Sequence, residues 1–226
     1  MRMALVLIAS VLVAGCSSGR DEQAERIEPI PPAPSVTTTP PTTTTSAEPT
    51  APPAPGAAVG DVIAWIEAGD AADAAQYHVA TRDGVATQLG EDVAFTTPAG
   101  KTDCMTDATN SPGVLACLVD LVDPPPRPED AYGEWKGGWV DYDGANVAVG
   151  SVHGDPGPFT AGTGPELPYG QVLAFGDYRC RVDTVGLFCA NYARQTAVRY
   201  SDAGIEPFGC LQPVAAPPQI GEMFSC

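Results

Sequence analysis

The chain has 226 residues and is strongly acidic, with 28 Asp and Glu against 11 Lys and Arg and a formal net charge of −17. Nucleic acids and anionic lipid surfaces require basic patches, so we expect neither as a partner. The seven cysteines are an odd number, which predicts that one of them has a role other than pairing.

Residues 1–15 have the features of a secretory signal peptide. Arg2 precedes an apolar and small-residue run at 4–15, which is shorter than the about 20 residues that a membrane-spanning helix needs. The run ends in Leu12-Val13-Ala14-Gly15-Cys16, which resembles the lipobox of bacterial lipoproteins. The resemblance implies a diacylglycerol on Cys16 and cleavage before it. The alternative is an ordinary signal peptide with an incidental cysteine, although the usual Ala-x-Ala pattern is absent.

Residues 16–57 are expected to form the lipidated cysteine and a disordered tether. Beyond a short charged stretch they are rich in Pro and Thr and contain almost no large apolar side chains, so they cannot offset the entropy of ordering. Proline at this density favours an extended polyproline II conformation. The composition is compatible with an O-glycosylated stalk or with an unmodified spacer.

Residues 58–226 are expected to form one globular domain that begins with a helix. Val62, Ile63, Trp65 and Ile66 cluster within 61–76, with Asp61 as a possible N-cap and a possible second short helix near 71–76.

The remainder of the domain has the pattern of strands and turns. Turn signals occur at Asp83-Gly84, at 98–100, at 110–113 and, most clearly, at Asp143-Gly144, while the proline-rich segment 123–131 predicts an irregular loop. The sequence therefore predicts a mainly β fold: a small antiparallel all-β domain, sandwich-like or barrel-like, with one short N-terminal helix and disulfide crosslinks.

The strand-rich region contains a candidate internal repeat. The series Val93-Ala94-Phe95, Cys104 and 113–117 parallels Leu173-Ala174-Phe175, Cys180 and 186–189. A duplication and a convergence of hairpin chemistry are both compatible with this pattern.

Six cysteines remain for the domain, and an oxidising compartment favours disulfides. Fifteen connectivities are possible. Neighbouring antiparallel strands favour Cys104–Cys117 and Cys180–Cys189, which leaves Cys210–Cys226 by elimination. No Cys-x-x-Cys motif supports the alternative of a metal site, so we expect no metal and no cofactor.

The sequence identifies no catalytic residue. Ser151, His153 and Asp155 are close together but lack the turn that a serine nucleophile requires, and a calcium loop beginning at Asp141 fails at its twelfth position. His153 is expected to be a loop residue.

Trp135, Trp139 and Tyr142 form a possible aromatic binding patch. Exposed on a β-face, such rings could stack on sugars or contact a protein. The alternative is that they belong to the core.

The lipobox, the Thr/Pro stalk and the cysteine-paired segments around 95–121 and 169–192 together are similar to cell-envelope lipoproteins of mycobacteria and related actinobacteria. The resemblance implies no activity and gives a role only to Cys16. We therefore expect a lipoprotein on the extracytoplasmic face of the cell membrane. Its non-enzymatic domain would bind wall glycan or an envelope protein. The alternative is an envelope hydrolase that uses acidic residues.

Overall fold

The computed structural model of the protein describes residues 50–153 and 156–226. Cys16 and most of the predicted tether lie outside the described residues. Within them, no helix has the length and hydropathy needed to cross a bilayer. The domain is mainly β, as predicted, and its helix and strands have the following bounds: α1 Val59–Glu67, β1 Asp70–Ala71, β2 Val79–Arg82, β3 Val85–Gln88, β4 Ala94–Thr96, β5 Thr102–Asp107, β6 Ser111–Val119, β7 Trp135–Tyr142, β8 Asn146–Val152, β9 Gln171–Phe175, β10 Tyr178–Asp183, β11 Gly186–Asn191, β12 Thr196–Ser201, β13 Gly204–Phe208, β14 Gln212–Val214 and β15 Ile220–Ser225.

The architecture is a two-sheet sandwich. The seven-stranded sheet has the order β14-β15-β8-β7-β6-β5-β4, and the six-stranded sheet has the order β1-β9-β10-β11-β12-β13. Buried side chains of both sheets form one shared core, for example Leu115 and Val140 of the first and Leu187 and Val198 of the second. The strand orders show that, within the described residues, neither sheet closes into a barrel.

The helix begins earlier than the sequence predicted. Ala58 is the N-cap residue and makes no side-chain capping bond, while Asp61 lies inside the first turn. The prediction of Asp61 as the N-cap is therefore wrong, although a carboxylate in the first turn still complements the helix dipole. The second predicted helix is a 3₁₀ turn at Ala74–Tyr77, and Asp73 caps it by accepting a hydrogen bond from the Ala75 amide.

Two predicted hairpin turns are present. Asp83 and Gly84 connect β2 to β3 with φ values of 52° and 79°, as a tight two-residue turn requires. Asp143 closes the β7–β8 turn, since its Oδ1 accepts hydrogen bonds from the amides of Ala145 and Asn146.

The turn predicted at 110–113 is displaced. Strand β6 already begins at Ser111, and the turn occupies residues 108–110. The cause is Asp107, whose Oδ1 accepts hydrogen bonds from the amides of Thr109 and Asn110 and so closes the turn before the proline at 112.

The candidate repeat corresponds to two five-stranded meanders. The N-terminal meander is β4–β8 and the C-terminal meander is β9–β13, and in each the strands are hydrogen-bonded in chain order. The meanders also match residue for residue across their central strands. The equivalent pairs are Cys104–Cys117 with Cys180–Cys189, Cys117–Val140 with Cys189–Val198, and Leu115–Tyr142 with Leu187–Tyr200.

The three predicted disulfides are present. Cys104–Cys117 and Cys180–Cys189 each join directly opposite residues of the second and third strands of a meander, with Cα atoms 4.1 Å apart. Cys210–Cys226 has a Cα separation of 4.8 Å and closes the segment that contains β14 and β15. In the chain-entropy description each bridge stabilises the fold by about 2–4 kcal/mol.

Each sheet also has a covered outer face. Helix α1 places Val62, Trp65 and Ile66 on the six-stranded sheet, where Trp65 packs 4.8 Å from Phe188 between ring centroids. The guanidinium of Arg181 lies 4.1 Å above the Trp65 ring. The outer face of the seven-stranded sheet is covered by the β2–β3 hairpin and by the 3₁₀ helix Gly157–Ala161.

Buried tyrosine hydroxyls connect the two sheets at one end of the sandwich. The hydroxyl of Tyr142 lies 2.7 Å from Oγ1 of Thr196, which in turn donates to the carbonyl of Gly144. The hydroxyl of Tyr178 donates to the carbonyls of Tyr142 and Gly113, each at 2.8 Å. Tyr200, which is equivalent to Tyr142, is also fully buried, but its hydroxyl has no hydrogen-bond partner among the described residues.

This difference predicts that removing the hydroxyl has different effects on the free energy of unfolding at the two equivalent tyrosines. Tyr142→Phe should lower the free energy of unfolding by roughly 1–2 kcal/mol, because it removes a satisfied buried hydrogen bond. Tyr200→Phe should leave that free energy unchanged within about 0.5 kcal/mol or raise it, because the hydroxyl it removes is unsatisfied. Denaturant titration of the oxidised protein measures both, and a larger loss for Tyr200→Phe than for Tyr142→Phe would contradict the assignment.

Candidate functional site

The three aromatic residues of the predicted binding patch do not form an exposed surface. Tyr142 is 0% exposed in the core between the sheets, Trp139 is 3% exposed on the opposite face of β7, and Trp135 is half-buried. Of the two interpretations that the sequence left open, an exposed patch and core residues, the second is therefore correct for Trp139 and Tyr142.

Strand alternation and a bulge explain where these rings lie. Alternation along β7 turns Tyr142 inward and Trp139 outward, where Phe159 covers Trp139 in an edge-on contact with centroids 5.2 Å apart. The β7–β8 register shifts between Lys136 and Val140, and Gly150 opposite has a φ of +72°. A Cβ at Gly150 would lie 2.7 Å from the Trp135 ring, so the glycine is what allows Trp135 to pack there.

The structure brings Ser151 and His153 together on this outer face. The imidazole of His153 stacks on Trp139 with centroids 3.5 Å apart, and its Nε2 lies 2.7 Å from Oγ of Ser151. Asp155, the third residue of the possible catalytic triad in the sequence, lies outside the described residues. Ser151 is only 6% exposed. The contact therefore belongs to the packing of the outer layer.

Beside this cluster runs a depression of about 580 Å³, the outer groove, lined by Asp107, Ser111, Trp139, Asp141 and Thr160 among others. Burial raises the pKa of the Asp141 carboxyl, and this effect is partly opposed by the hydrogen bond from Nε1 of Trp139, at 2.8 Å, and by the nearby charge of His153.

The pKa of Asp107 is shifted in the opposite direction. Two nearby carboxyl groups whose pKa values are shifted apart are what a hydrolase uses as an acid–base pair, so Asp107 and Asp141 need to be considered as such a pair. The pKa of Asp107 is lowered, first by the side-chain hydrogen bond from Asn110 and also by the amides of Asn110 and Thr109. Both carboxylate oxygens thus accept hydrogen bonds within their own turn. The shift of Asp107 is explained by turn formation, so the groove offers little support for the hydrolase alternative.

A cleft of about 790 Å³, which is larger than the outer groove, lies at one end of the sandwich, and we call it the end cleft. Four turns from both meanders frame it, namely residues 108–110, 143–145, 176–177 and 192–195. Loops that converge from a rigid sheet scaffold are a common location for binding sites, and the volume is typical of a ligand pocket.

The end cleft combines an aromatic floor with a polar rim. Phe175 and Tyr178 stack with centroids 5.6 Å apart, and burial is the main cause that raises the pKa of Tyr178 to about 12, so this phenol stays neutral. Arg194 is the one base among the lining residues. Four acids lie on the rim. Asp92 and Asp143 accept hydrogen bonds from backbone amides, and Glu91, Asp143 and Asp177 are exposed.

Sequence reasoning missed this cleft because it depends on the meeting of turns that are far apart in the chain. The Asp-Gly and Gly-Asp turn signals mark each turn separately, at Asp143-Gly144 and Gly176-Asp177, but no local pattern shows that they meet. The part of the chain that the structure describes contains no group of three or more His, Cys, Asp or Glu side chains placed to hold a metal ion. Comparisons of the chain with protein families, curated proteins and solved structures found no match.

The raised pKa of Asp141 makes a prediction about pH. A carboxyl whose folded-state pKa is raised stabilises the fold fully below its ordinary pKa of about 4, and this contribution is lost as the pH rises through the folded-state value. Asp141→Asn stays neutral and keeps an acceptor for Trp139, so the variant should be more stable than the unaltered protein at pH 7. This advantage should shrink towards pH 3.

Asp107→Asn is the matched control, because the pKa of Asp107 is lowered and the sign is reversed. That variant should be less stable than the unaltered protein at pH 7, and the deficit should shrink as the pH falls. Thermal melts of the three proteins at several pH values measure this, and parallel curves for the two variants would refute the assignment.

Proposed function

We propose that the protein is a lipid-anchored, extracytoplasmic binding protein of the cell envelope. In this proposal Cys16 carries the lipid, residues 17–57 form the tether, and the β-sandwich is a non-enzymatic domain whose ligand binds in the end cleft.

The anchor is supported by the cysteine arrangement. Six of the seven cysteines are joined in three disulfides, which accounts for all of them except Cys16. Structural disulfides persist in oxidising compartments outside the cytosol. A lipobox-like sequence directly before the one cysteine outside these pairs is what a lipoprotein requires, and a diacylated cysteine supplies the two acyl chains that stable anchoring needs.

The binding role rests on one observation, the end cleft that turns of both meanders frame. Its floor supplies the half-buried ring of Phe175, and its rim supplies carboxylates at Glu91 and Asp177 together with the guanidinium of Arg194. Rings of this kind pack against the apolar faces of sugars, while charged oxygens and a guanidinium hydrogen-bond hydroxyl and amino groups. We therefore propose wall glycan as the ligand.

The anchor proposal predicts a change in fractionation. Cys16→Ala should move the protein from the membrane fraction to the soluble extracytoplasmic fraction or leave its signal uncleaved, because no acyl chains can be attached. Cell fractionation and mass spectrometry of the N-terminal peptide measure this outcome. Retention in the membrane with no lipid-sized mass on the unaltered protein would contradict it.

The ligand proposal predicts that the rim charges contribute to binding. The double variant Glu91→Gln/Asp177→Asn should bind purified actinobacterial cell-wall glycan about tenfold more weakly in a sedimentation assay, since a hydrogen bond to a charged group contributes about 1.5–3 kcal/mol.

The matched control is Glu129→Gln/Asp130→Asn, which removes the same two charges from the exposed loop between β6 and β7. Its affinity should stay within about twofold of the unaltered protein, because these residues lie away from the cleft. Equal losses in both double variants would indicate a general charge effect, and undiminished binding by the cleft variant would place the glycan elsewhere.

A further inference from the structure

The end cleft has an excess of negative charge that its own residues do not balance. Its lining contains four acids, Glu91, Asp92, Asp143 and Asp177, and one base, Arg194, which leaves a formal net charge of −3. The ion pairs within the described residues all join other side chains. A cleft lined by one sign of charge concentrates ligands of the opposite sign, because its low-dielectric walls focus the field.

Two of the four acids have structural roles in the turns around the cleft. Oδ1 of Asp92 accepts a hydrogen bond from Oγ1 of Thr106, and both carboxylate oxygens of Asp143 accept hydrogen bonds within the turn that it closes. The exposed carboxylates of Glu91 and Asp177 accept no hydrogen bond from the part of the chain that the structure describes. These two groups are therefore available to a ligand.

The bases near these two carboxylates are held by other contacts. The stem of Arg194 lies against the β7–β8 turn, since its Cγ would be 2.9 Å from a Cβ at Gly144. Arg179 follows Asp177 by two positions, but it donates to two backbone carbonyls beside that turn and does not line the end cleft. Within the described residues, no base is thus at ion-pair distance from Glu91 or Asp177.

The carboxylates of both meanders act on the same aromatic floor. Burial is the main cause that raises the pKa of the Tyr178 phenol, and the charges of Asp143 and Asp177 raise it further. Asp143 belongs to a turn of the N-terminal meander and Asp177 to a turn of the C-terminal one. The ring of Phe175, stacked on Tyr178 and half-buried, lies in this negative field.

We propose that the end cleft selects glycans whose amino sugars carry free, protonated amino groups. Glu91 and Asp177 bind the ammonium groups, and Phe175 packs against the sugar ring. An ammonium group donates up to three charge-assisted hydrogen bonds to carboxylates, whereas an N-acetyl group is neutral and has a single N–H donor. This inference rests on the proposed glycan function and adds the charge of the ligand to it.

Two β-1,4-linked hexasaccharides test the proposal, because glucosamine and N-acetylglucosamine differ only in the amino group. Each is titrated into the full chain carrying Cys16→Ala at about pH 6, where amino groups are protonated and carboxylates are charged. Calorimetry measures the affinities, and methyl NMR of Ala145 and Ala193 reports binding in the end cleft. The glucosamine hexamer should bind at least about tenfold more tightly than the N-acetylated one.

A lysine hexamer separates recognition of a sugar from recognition of charge alone. It carries the same number of amino groups but has no sugar ring to pack on Phe175. It should therefore bind at least about tenfold more weakly than the glucosamine hexamer.

Three variants test the assigned charges through the ratio of the two sugar affinities. Glu91→Gln/Asp177→Asn should lower the ratio to about twofold, because the ammonium groups lose their partners. Arg194→Gln should raise it, because the variant removes the base in the lining. The control Glu129→Gln/Asp130→Asn removes two negative charges from the loop between β6 and β7 and should leave the ratio unchanged.

The possible failures can be told apart. Equal affinities for the two sugars, with shifts at Ala145 and Ala193, would overturn the selection for amino groups and leave the proposed glycan function standing. No saturable shift at these methyls with either sugar would overturn both. Equal binding of the lysine hexamer would assign the end cleft to basic peptides. An equal fall of the ratio in the two double variants would attribute the preference to the net charge of the chain.

Discussion

Two cross-strand disulfides in equivalent positions fix the register on which the rest of the domain depends. Cys104–Cys117 and Cys180–Cys189 each join the second and third strands of a meander inside the shared core. A strand that slips by one residue exchanges its buried and exposed faces, so a covalent bond between opposite residues excludes this error. With the register fixed, Val140 and Tyr142 on one sheet and Val198 and Tyr200 on the other face the interior.

The two meanders differ at the two ends of the sandwich. At one end, Thr196 forms a hydrogen bond with the buried hydroxyl of Tyr142, and the hydroxyl of Tyr178 donates to the Tyr142 carbonyl, so that both contacts connect the sheets beneath the end cleft. At the other end, Thr102 and Gly138 occupy the equivalent positions, so Tyr200 has neither a ring like that of Tyr178 nor a hydroxyl like that of Thr196 beside it. A Cβ at Gly138 would lie 2.0 Å from the carbonyl oxygen of Val119, so close strand approach requires glycine there. The difference between the ends thus follows from a few residues within one shared framework.

The sequence was sufficient to predict the parts of the fold that local chemistry determines. Asp-Gly pairs marked the hairpins at 83–84 and 143–144, and hairpin neighbours gave two disulfides, with Cys210–Cys226 left by elimination. Features that depend on long-range packing were not predictable. The sequence left open whether Trp139 is a surface ring or a core residue, because nothing nearby in sequence shows that Phe159 covers it. Glu91 and Arg194 both line the end cleft but are more than one hundred positions apart in the sequence, so no local motif could predict that they meet.

The measurement that tests this account most directly is peptide mapping of the non-reduced protein. The two equivalent meanders require two crosslinked species, which join Cys104 to Cys117 and Cys180 to Cys189, and the C-terminal segment adds a third, which joins Cys210 to Cys226. Each should appear without free thiols at these positions. A peptide that joins Cys104 or Cys117 to any cysteine of the segment 180–226 would contradict the register, and with it the equivalence of the two ends of the sandwich.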